Sequence, residues 1–481
     1  MGITVVGLGP GDGRFLTREA WAILAAAETV HVRTARHPAV ADLPETVQVV
    51  SFDEVYETAV DFDAVYDQIV TQMLALGREA DIVYAVPGHP FVGESTVTRL
   101  VKAAEAENVP VRVVAGLSFV EPSLTAVQAD ALDGLQIFDA IELTNLHYPP
   151  LNPDQPALLG QVYSRMLASE LKLGLTAVYP EQHTVALIHA AGTAVESVER
   201  VPLYAIDRSE RIDHLTSLYI PPLPYAASLN ALAETVAVLR SPNGCPWDIE
   251  QTPQSMRGGL LEEASEVLEA LDAEDEDGLR EELGDLLYHI VMQTQMAAEE
   301  EQFTLSDIIA GIEAKLKRRH PHVWGDWEVA DTAEVLRNWE MLKQDEKEKQ
   351  AASLLDNIPQ ALPALARSQK IQDKVRKVGF DWPEIGGIYD KLAEELAEVQ
   401  AAQTPEERAD ELGDLLFVTV NLASWLGVDA ESALRGANLK FSQRFRQVEQ
   451  LVTARNLDWA QLDLVALEAI WQEVKEGGTA V

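Results

Sequence analysis

The chain is poor in cysteine, in basic residues and in long apolar runs. Its 481 residues include one cysteine, Cys245, which excludes an internal disulfide and a cysteine-rich zinc cage. It has 37 Lys and Arg against 78 Asp and Glu, and the net charge of −41 disfavours a nucleic-acid backbone or an anionic membrane surface as partner. No stretch approaches the roughly 18 to 20 apolar residues of a membrane span, and the first residues predict a strand rather than a signal sequence. We therefore expect a cytoplasmic protein that acts on small ligands.

The first part of the chain alternates short β-rich runs with helical stretches. This alternation predicts an α/β domain with a largely parallel sheet. A proline-rich segment, 221–224, marks a boundary, and after Ser228 the pattern is helical throughout. The predicted domains are 1–224, which is α/β, and 228–350 and 351–481, which are all-α helical bundles. The predicted strands are 3–6, 47–50, 81–85, 111–114, 185–189 and 218–220.

The helical half contains one order of motifs twice. A helix with the pattern Glu-Glu-x-x-Glu is followed in both copies by a helix with Glu-Leu-Gly-Asp-Leu-Leu, and then by basic residues and a tryptophan. Each copy also opens alike, with Cys-Pro-Trp-Asp at 245–248 and Gly-Phe-Asp-Trp at 379–382. Five elements that recur in one order indicate an internal duplication. The acidic residues are Glu262, Glu263, Glu266, Glu282 and Asp285 in the first repeat and Glu394, Glu395, Glu398, Glu411 and Asp414 in the second.

Helical spacing gathers these carboxylates along one edge of a helix pair. In the first repeat, three lie beside an apolar stripe on a helix predicted over 254–271, and the other two lie on the next helix. Carboxylates without basic partners repel one another unless a hard cation such as Mg²⁺ or Mn²⁺ neutralises them. A solvated acidic surface is the commoner explanation for one isolated Glu-x-x-Glu. The duplication favours a metal site in each repeat.

The apolar stripes of these helices, which include Leu261, Leu283 and Leu287, are predicted to form the core of each pair. Two helices alone bury little apolar surface. We therefore expect the repeats to pack together or against another chain, as a homodimer or a larger homo-oligomer.

Cations and tryptophans follow the acidic helices at a fixed spacing. Such cations would bind the outer phosphates of a nucleotide while a metal ion holds the inner ones. For each basic residue alone, a plain surface position is an equally good interpretation. The candidates are Lys315, Arg319, Trp339 and Lys343 in the first repeat and Lys440, Arg444, Trp471 and Lys475 in the second.

These motifs, with Arg-Arg-His-Pro-His-Val and Lys-Val-Gly-Phe-Asp-Trp, resemble the MazG family of all-α nucleoside triphosphate (NTP) pyrophosphohydrolases. The resemblance covers about residues 229–475. It implies hydrolysis of an NTP to the monophosphate and pyrophosphate by a metal-activated water, with Glu263 and Glu395 as candidate general bases. It also implies that the second repeat dominates catalysis. Gly258 and Gly259, which weaken the first acidic helix, favour the same ranking.

Glycine-bearing loops follow four of the predicted strands. An α/β sheet binds its ligand at the carboxyl ends of its strands, although a single such loop is more often a simple tight turn. The candidate cofactor-binding residues are Gly7, Gly9, Pro10, Gly11, Asp12, Gly88, His89, Pro90, Ser118, Phe119, Gly192 and Thr193.

Together these loops resemble the tetrapyrrole (corrin/porphyrin) methylase family over about residues 1–220. The resemblance implies S-adenosylmethionine (SAM) in a cleft between two α/β subdomains. Many such methylases have Gly-Asp-Pro where this chain has Gly88-His89-Pro90, which affects methyl transfer more than cofactor binding. The segment 147–153 is either a lid or a packed connection. The fusion of both halves resembles the YabN-type bifunctional proteins.

Three functions remain open from the sequence. The leading prediction is a Mg²⁺-dependent NTP pyrophosphohydrolase with an appended SAM-binding domain. The alternatives are a SAM-dependent methyltransferase with a helical oligomerisation half, and a nucleotide-sensing scaffold. The predicted ligands are NTPs and SAM, with neither nucleic acid nor membrane as partner. Cys245 is interpreted as a buried thiol. His289, one turn after Asp285, could contact the metal shell, although such a residue is more often a helix-face histidine.

Overall fold

The computed structural model describes residues 1–59, 61–347, 353–356 and 358–477. The chain divides into two compact units, Met1–Gln251 and Thr252–Val481. The first unit holds the β-sheets and the second is helical, which confirms the predicted fold class. The first unit extends beyond the expected boundary at 224–228. The expected division between the repeats, at 350 and 351, lies outside the described residues.

The first sheet is parallel, with the strand order β3-β2-β4-β1-β5. Strand β1, which lies between β4 and β5, begins with the apolar run after Gly2, and its residues Ile3, Val5 and Val6 are buried, as expected for a strand covered on both faces. The strands are β1 Gly2–Gly7, β2 Thr29–Val32, β3 Gln48–Ser51, β4 Asp81–Val86 and β5 Val111–Val114, and the helices are α1 Arg18–Ala26, α2 Asp53–Thr58, α3 Phe62–Glu79 and α4 Ser95–Glu107.

A second sheet follows, in the order β6-β7-β10-β8-β9, and only its β6–β7 pair is parallel. The expectation of one largely parallel sheet is therefore right for the first sheet and wrong for the second. The strands are β6 Gln136–Asp139, β7 Ala157–Gly160, β8 Thr184–His189, β9 Ser197–Pro202 and β10 Thr216–Ile220, and the helices are α5 Val120–Val127, α6 Ala140–Thr144 and α7 Arg165–Leu175.

The remaining elements are helices, and local capping explains where several of them begin. Thr404 caps α17 in a capping box with Glu407, and Pro405 occupies the first turn, as the sequence indicates. The bounds are α8 Leu229–Arg240, α9 Pro246–Glu250, α10 Arg257–Asp272, α11 Glu276–Glu299, α12 Leu305–Arg319, α13 Pro321–Trp324, α14 Thr332–Lys347, α15 Ala364–Arg376, α16 Ile385–Ala401, α17 Pro405–Trp425, α18 Ala430–Ala454 and α19 Leu464–Gly477.

Helix α10 begins three residues later than predicted because the preceding segment forms a side-chain turn. The backbone N–H of Ser255 donates to the Thr252 hydroxyl over 3.1 Å, and the Thr252 N–H donates to the Ser255 hydroxyl over 3.0 Å. Short hydroxyl side chains compete in this way with helical hydrogen bonds.

The apolar stripes of the acidic helices do not form a core within the chain. Leu283 is 49% exposed and Leu287 is 41% exposed, and Leu412 and Leu416 of the second repeat are 48% and 51% exposed. The prediction of a core along these stripes is therefore wrong for a single chain. The periodicity identified the apolar face of each helix but not the surface that covers this face.

No single helix in the described ranges is long and apolar enough to cross a membrane. One bent pair, Pro405–Trp425 with Ala430–Ala454, meets the requirement jointly by length and composition.

Candidate active site

The first carboxylate cluster lies between α10 and α11. These helices form a hairpin, and ligand oxygens of Glu263, Glu266 and Glu282 all lie within 4.8 Å of one another. Glu262 and Asp285, also predicted as ligands, are not part of this group of three. The structure therefore brings together three of the five predicted residues from the first repeat.

The pKa values of two carboxylates in the first cluster are raised, in part by repulsion between the carboxylates. Loss of hydration raises the pKa of Glu263, and the charges of Asp285 and Glu266 raise it further. Loss of hydration, followed by repulsion from Glu266 and Glu263, likewise raises the pKa of Glu282. Asp285 is thus close enough to act on the group of three without belonging to it. A positive charge placed among these carboxylates would reverse these shifts.

His289 is packed against the first cluster, which agrees with the less common of the two sequence interpretations rather than with an ordinary helix-face histidine. The residue is buried, and its Nε2 lies 3.8 Å from Oε1 of Glu263. A Cβ added to Gly259 would lie 2.7 Å from Cε1 of His289. Gly259 therefore makes room for the imidazole ring, and its effect is more than a loss of helix propensity.

The second cluster joins α16 to α17. Ligand oxygens of Glu395, Glu411 and Asp414 lie within 4.8 Å of one another. Loss of hydration raises the pKa of Glu411, and the charges of Glu398 and Glu395 add to the shift. Glu394 and Glu398 are outside the group of three.

Glu395 is the most deeply placed carboxylate of the second cluster. It is 3% exposed, and its Oε2 has no hydrogen-bond partner within the described part of the chain. Its Oε1 lies 2.7 Å from Nζ of Lys391, which also lies 2.8 Å from Oε1 of Glu394. Hydrogen bonds to Glu394 and Glu395 raise the pKa of Lys391. The sequence analysis did not single out Lys391, although its place three residues before a Glu-Glu pair was visible.

Both clusters fit a hard divalent cation. Their donors are carboxylate oxygens, the ligands that Mg²⁺ and Mn²⁺ take in proteins. A buried oxygen without a partner costs free energy unless it is compensated, and Oε2 of Glu395 is such an atom. The donor chemistry and this orphaned oxygen agree with the predicted metal sites.

Three of the four phosphate-binding candidates in the first repeat meet at one aromatic ring. The guanidinium carbon of Arg319 lies 5.5 Å from the ring centroid of Trp339, and Nζ of Lys343 lies 4.4 Å from it. Lys315 is half-buried on the same helix as Arg319. Cation–π contacts with one ring hold both charges beside the same side chain.

The second repeat is arranged differently. The ring of Trp471 packs against Phe441, with the centroids 5.0 Å apart, and it contacts the small core formed by α18 and α19. Lys440 and Lys475 are exposed, and Arg444 is half-buried. The four predicted residues are therefore present, but not stacked as in the first repeat.

The glycine-bearing loops of the first sheet touch through their backbones. Gly88 N–H donates to the carbonyl of Gly9 over 2.8 Å, and a Cβ on Gly7 or Gly116 would lie 2.6 or 2.5 Å from the Gly88 carbonyl oxygen. Gly9 and Gly88 have φ values of +78° and +67°, which favour glycine. The three loops thus converge at the carboxyl ends of β1, β4 and β5, as predicted.

Loops from the second sheet lie nearby. A Cβ on Gly192 would lie 2.9 Å from Cζ of Phe15, and the Phe119 ring packs on Gly160. Gly11 lies near the carbonyl oxygen of Gly192, which its Cβ would approach to 3.6 Å. Loops of the two sheets therefore meet around these glycines.

Polar side chains of these loops are engaged locally. Asp12 pairs with Arg14 at 2.9 Å, and this hydrogen bond lowers the pKa of Asp12. The Ser118 hydroxyl donates to Glu121 over 2.7 Å, and the Thr193 hydroxyl donates to a backbone carbonyl over 2.8 Å. His89 Nδ1 accepts from a backbone N–H over 3.1 Å, while Pro10 is half-buried and Pro90 is buried. Backbone groups are therefore the main remaining donors and acceptors for a ligand here.

Both halves of the chain match known protein families. Residues 251–324 match the MazG nucleotide pyrophosphohydrolase domain, 368–439 match phosphoribosyl-ATP pyrophosphohydrolase, and 2–207 match the tetrapyrrole (corrin/porphyrin) methylases. The nucleoside triphosphate pyrophosphohydrolase of Escherichia coli (strain K12) is 51% identical over 49% of this chain and 93% of its own length. The chain belongs to the MazG family.

Two further relatives describe how the MazG half is combined. The protein YabN of Bacillus subtilis (strain 168) is 41% identical over 98% of this chain and 98% of its own length, so it has the same two halves. The nucleoside triphosphate pyrophosphohydrolase/pyrophosphatase MazG of Thermotoga maritima is 42% identical over 51% of this chain and 95% of its own length. The predicted membership of the MazG family is confirmed, and so is the predicted resemblance of the first part of the chain to a tetrapyrrole methylase domain.

The two MazG repeats have diverged. The first matches the MazG model and the second matches the phosphoribosyl-ATP pyrophosphohydrolase model, and the second carries Lys391 where the first has Gly259. The His289 position corresponds to Val418 in the second repeat. The repeats therefore share their carboxylates but differ in the residues packed against them.

Proposed function

We propose that the helical half hydrolyses nucleoside triphosphates to the monophosphate and pyrophosphate with Mg²⁺ or Mn²⁺. The observation that carries the proposal is the presence of two carboxylate clusters, and within each cluster the three ligand oxygens lie within 4.8 Å of one another. The clusters are Glu263, Glu266 and Glu282 in the first repeat and Glu395, Glu411 and Asp414 in the second. Relatives 51% and 42% identical over the MazG half bear the name of this activity.

The chemistry of each residue suggests its role in the proposed reaction. A bound divalent cation would polarise the phosphate and acidify a water molecule. Glu263, whose pKa is raised, and Glu395, whose Oε2 has no hydrogen-bond partner in the described part of the chain, would accept the proton of that water. Arg319 and Lys343 would hold the outer phosphates from the face of Trp339.

The remaining candidates complete the proposed sites. Glu262 and Asp285 in the first repeat, and Glu394 and Glu398 in the second, would ligate through water or through side-chain rotation. Lys315 would join the phosphate-binding group of the first repeat. The corresponding group in the second repeat consists of Lys440, Arg444, Trp471 and Lys475.

Pyrophosphate release from NTPs by the full chain, with Mg²⁺ and without SAM, tests the proposal. A methyltransferase with a helical oligomerisation half, or a nucleotide-sensing scaffold, would bind nucleotide at most and release no pyrophosphate. A chain with Glu263→Gln and Glu395→Gln is the matched control, because it keeps both side-chain volumes and removes both candidate bases. Release that persists in this variant at the unchanged rate would exclude these two residues as bases.

We propose further that the first unit binds SAM through backbone groups of its glycine-bearing loops. A Cβ on Gly7 or on Gly116 would collide with the Gly88 backbone, so these two positions have no room for a side chain. A Cβ on Gly88 itself points the other way and would meet nothing within 4 Å. Gly88 thus borders open space, where a ligand could approach the backbone closely. His89 replaces the acidic residue common in this family of methylases, so binding does not by itself imply methyl transfer.

A single added methyl group tests this binding surface. Gly88→Ala is expected to weaken SAM binding to the full chain about ten-fold or more, roughly 1.4 kcal/mol, because the new Cβ projects into the open space. Gly93→Ala is the matched control, since Gly93 has a similar φ of +66° and a nearest neighbour 3.9 Å away. Titration calorimetry with SAM or S-adenosylhomocysteine measures both. Equal losses in both variants, or no binding by the parent chain at millimolar ligand, would exclude this surface.

The protein is proposed to be a homodimer or a larger homo-oligomer. The half-exposed leucines of the acidic helices recur at matching places in both repeats, Leu283 with Leu412 and Leu287 with Leu416. Apolar stripes of this kind are stable in water when a second copy covers them.

Sedimentation equilibrium tests the assembly. The parent chain is expected at about twice 52.8 kDa or more, and Leu283→Glu with Leu412→Glu is expected to shift the mass toward that of one chain. Leu132→Glu, at a 93% exposed leucine in the first unit, should leave the mass unchanged. A parent chain that sediments as a monomer at micromolar concentration would contradict the proposal.

We propose that the protein works in the cytoplasm and that it binds neither nucleic acid nor anionic membranes, because its net charge of −41 disfavours both partners. These absences remain proposals and rest on the charge alone. Binding of radiolabelled DNA, RNA or anionic vesicles at physiological salt would overturn them.

A further inference from the structure

Arg33 and Glu94 form an ion pair inside the first unit. Nη1 of Arg33 donates to Oε2 of Glu94 over 2.6 Å, and Nε of Arg33 donates to the Tyr56 hydroxyl over 2.7 Å. The side chain of Glu94 is 1% exposed and that of Arg33 is 23% exposed. Both charges are therefore largely removed from water.

The second carboxylate oxygen of Glu94 is also satisfied. It accepts hydrogen bonds from the backbone N–H of Thr96, over 3.3 Å, and from the Thr96 hydroxyl, and Thr96 is fully buried. Burial by itself would lower the pKa of Arg33, but the charge of Glu94 and the contact with Tyr56 outweigh this effect and raise it. Each oxygen of the carboxylate thus has its own donor, and the arrangement is specific.

Folding and helix capping do not explain this pair. A buried ion pair loses hydration energy, and this loss offsets much of its attraction, so such a pair is weak evidence for stability. Glu94 also caps helix α4, but a short side chain is enough for that purpose. Other helices of the first unit are capped by Thr17, Asp61 and Ser164. The greater length of Glu94 serves the contact with Arg33 instead.

The pair lies at one end of the loop that carries residues 88–90. This loop leaves β4 and reaches Glu94 immediately before α4. Near its beginning, the Gly88 N–H donates to the carbonyl of Gly9 over 2.8 Å. The loop is thus held near β4 by a backbone hydrogen bond and near α4 by the carboxylate of Glu94.

Arg33 ties the second anchor to the sheet. It follows β2, and its N–H donates to the carbonyl of Ala85 in β4 over 3.0 Å. Phe91, the largest side chain of the loop, is 53% exposed and adds little packing. The shape of the loop therefore depends strongly on its two anchored ends.

We propose that Arg33 and Glu94 are positioning residues, whose ion pair fixes the loop after β4 in the shape that lets SAM reach the backbone of Gly88. The inference rests on the proposed SAM binding and adds to it two residues that act through the loop. It assigns a role to a buried charge pair that neither folding nor helix capping requires.

A version of the pair without charges separates positioning from folding. Arg33→Met alone leaves the carboxylate of Glu94 buried without a cation and should lower the midpoint of thermal unfolding. Arg33→Met with Glu94→Gln removes both charges, keeps an acceptor for the Thr96 N–H and should regain most of that stability. The double variant should nevertheless bind SAM about ten-fold or more weakly in titration calorimetry on the full chain.

Hydrogen exchange gives a second measurement that needs no ligand. The Gly88 N–H should exchange about ten-fold or more faster in the double variant, because the loop opens more often when one of its anchors is lost. Amides of strand β8, in the other sheet, should exchange as in the parent chain.

The pair Lys172 and Asp207 provides a matched control in the same unit. Its N–O distance is 2.6 Å and both side chains are 20% exposed, but it joins α7 to a segment outside the loop after β4. Lys172→Met with Asp207→Asn should change neither the SAM affinity nor the exchange of the Gly88 N–H.

Each outcome decides the inference. SAM affinity or Gly88 exchange equal to that of the parent chain in the folded double variant would overturn it, and so would equal losses in the control. A double variant no more stable than Arg33→Met would assign the pair to folding and would overturn it as well. Absence of SAM binding by the parent chain would overturn the proposed SAM binding, whereas the exchange comparison would still test how the loop is anchored.

Discussion

Glu398→Gln combined with Asp414→Asn is expected to reduce NTP turnover about 100-fold or more, while Glu266→Gln with Asp285→Asn leaves a sizeable fraction. The second cluster contains the 3% exposed Glu395, whose environment of low dielectric strengthens its interaction with a metal ion. Loss of neighbouring ligands should therefore matter most there. Steady-state pyrophosphate release at saturating Mg²⁺ measures both double variants.

A control variant tests whether the loss of a negative charge alone reduces turnover. Glu449→Gln removes one carboxylate from an exposed position on α18, outside both clusters, and should leave turnover unchanged. The reverse ranking of the two double variants, or equal losses, would assign catalysis to the first repeat or to both. Arg319 and Lys343, which stack on Trp339, would then be the phosphate-binding residues of the dominant site.

Removal of divalent cations is expected to reduce turnover about 1,000-fold or more without unfolding the first unit. Repulsion among the carboxylates contributes to the raised pKa values of Glu263, Glu282 and Glu411, and a metal ion would relieve it. Turnover is measured in excess chelator and after Mg²⁺ or Mn²⁺ is added back, with circular dichroism as the check on folding. Undiminished hydrolysis in chelator would contradict the metal assignment.

The same pKa shifts give the sign of a pH effect on metal binding. A carboxylate must lose its proton to bind a cation, and a raised pKa means that protonation begins at a higher pH than for an ordinary glutamate. Apparent Mg²⁺ affinity should therefore fall as the pH falls, starting above the usual carboxylate range. In the metal-free protein these three groups favour the folded state below their ordinary pKa values, and this contribution is lost as the pH rises through the raised ones.

The sequence predicted the features that depend on local spacing. Helical periodicity predicted that Glu263 and Glu266 share one helix edge, and both lie on α10 with oxygens close together. The loops after β1, β4 and β5 were found because glycine follows an apolar run in each. In each of these cases the information lies within a few residues along the chain.

Features that depend on distant contacts were missed or misjudged. Strands β2, β6, β7 and β9 were not predicted, and β9 carries charged residues in its middle. The exposure of Leu283 and Leu287 depends on what covers them, which periodicity does not report. The contact of His289 with Gly259 joins residues thirty positions apart on different helices.

Gly259 and His289 are mutually dependent, so the duplicated hairpins are no longer interchangeable modules. A lysine transplanted from the second repeat to position 259 would place its Cβ within 2.7 Å of the His289 ring. A chimera would need a smaller residue at 289 as well, such as the valine that the second repeat has at 418. The two positions are therefore expected to change together when one repeat is remodelled on the other, so that single exchanges between the repeats are disfavoured although their carboxylates correspond.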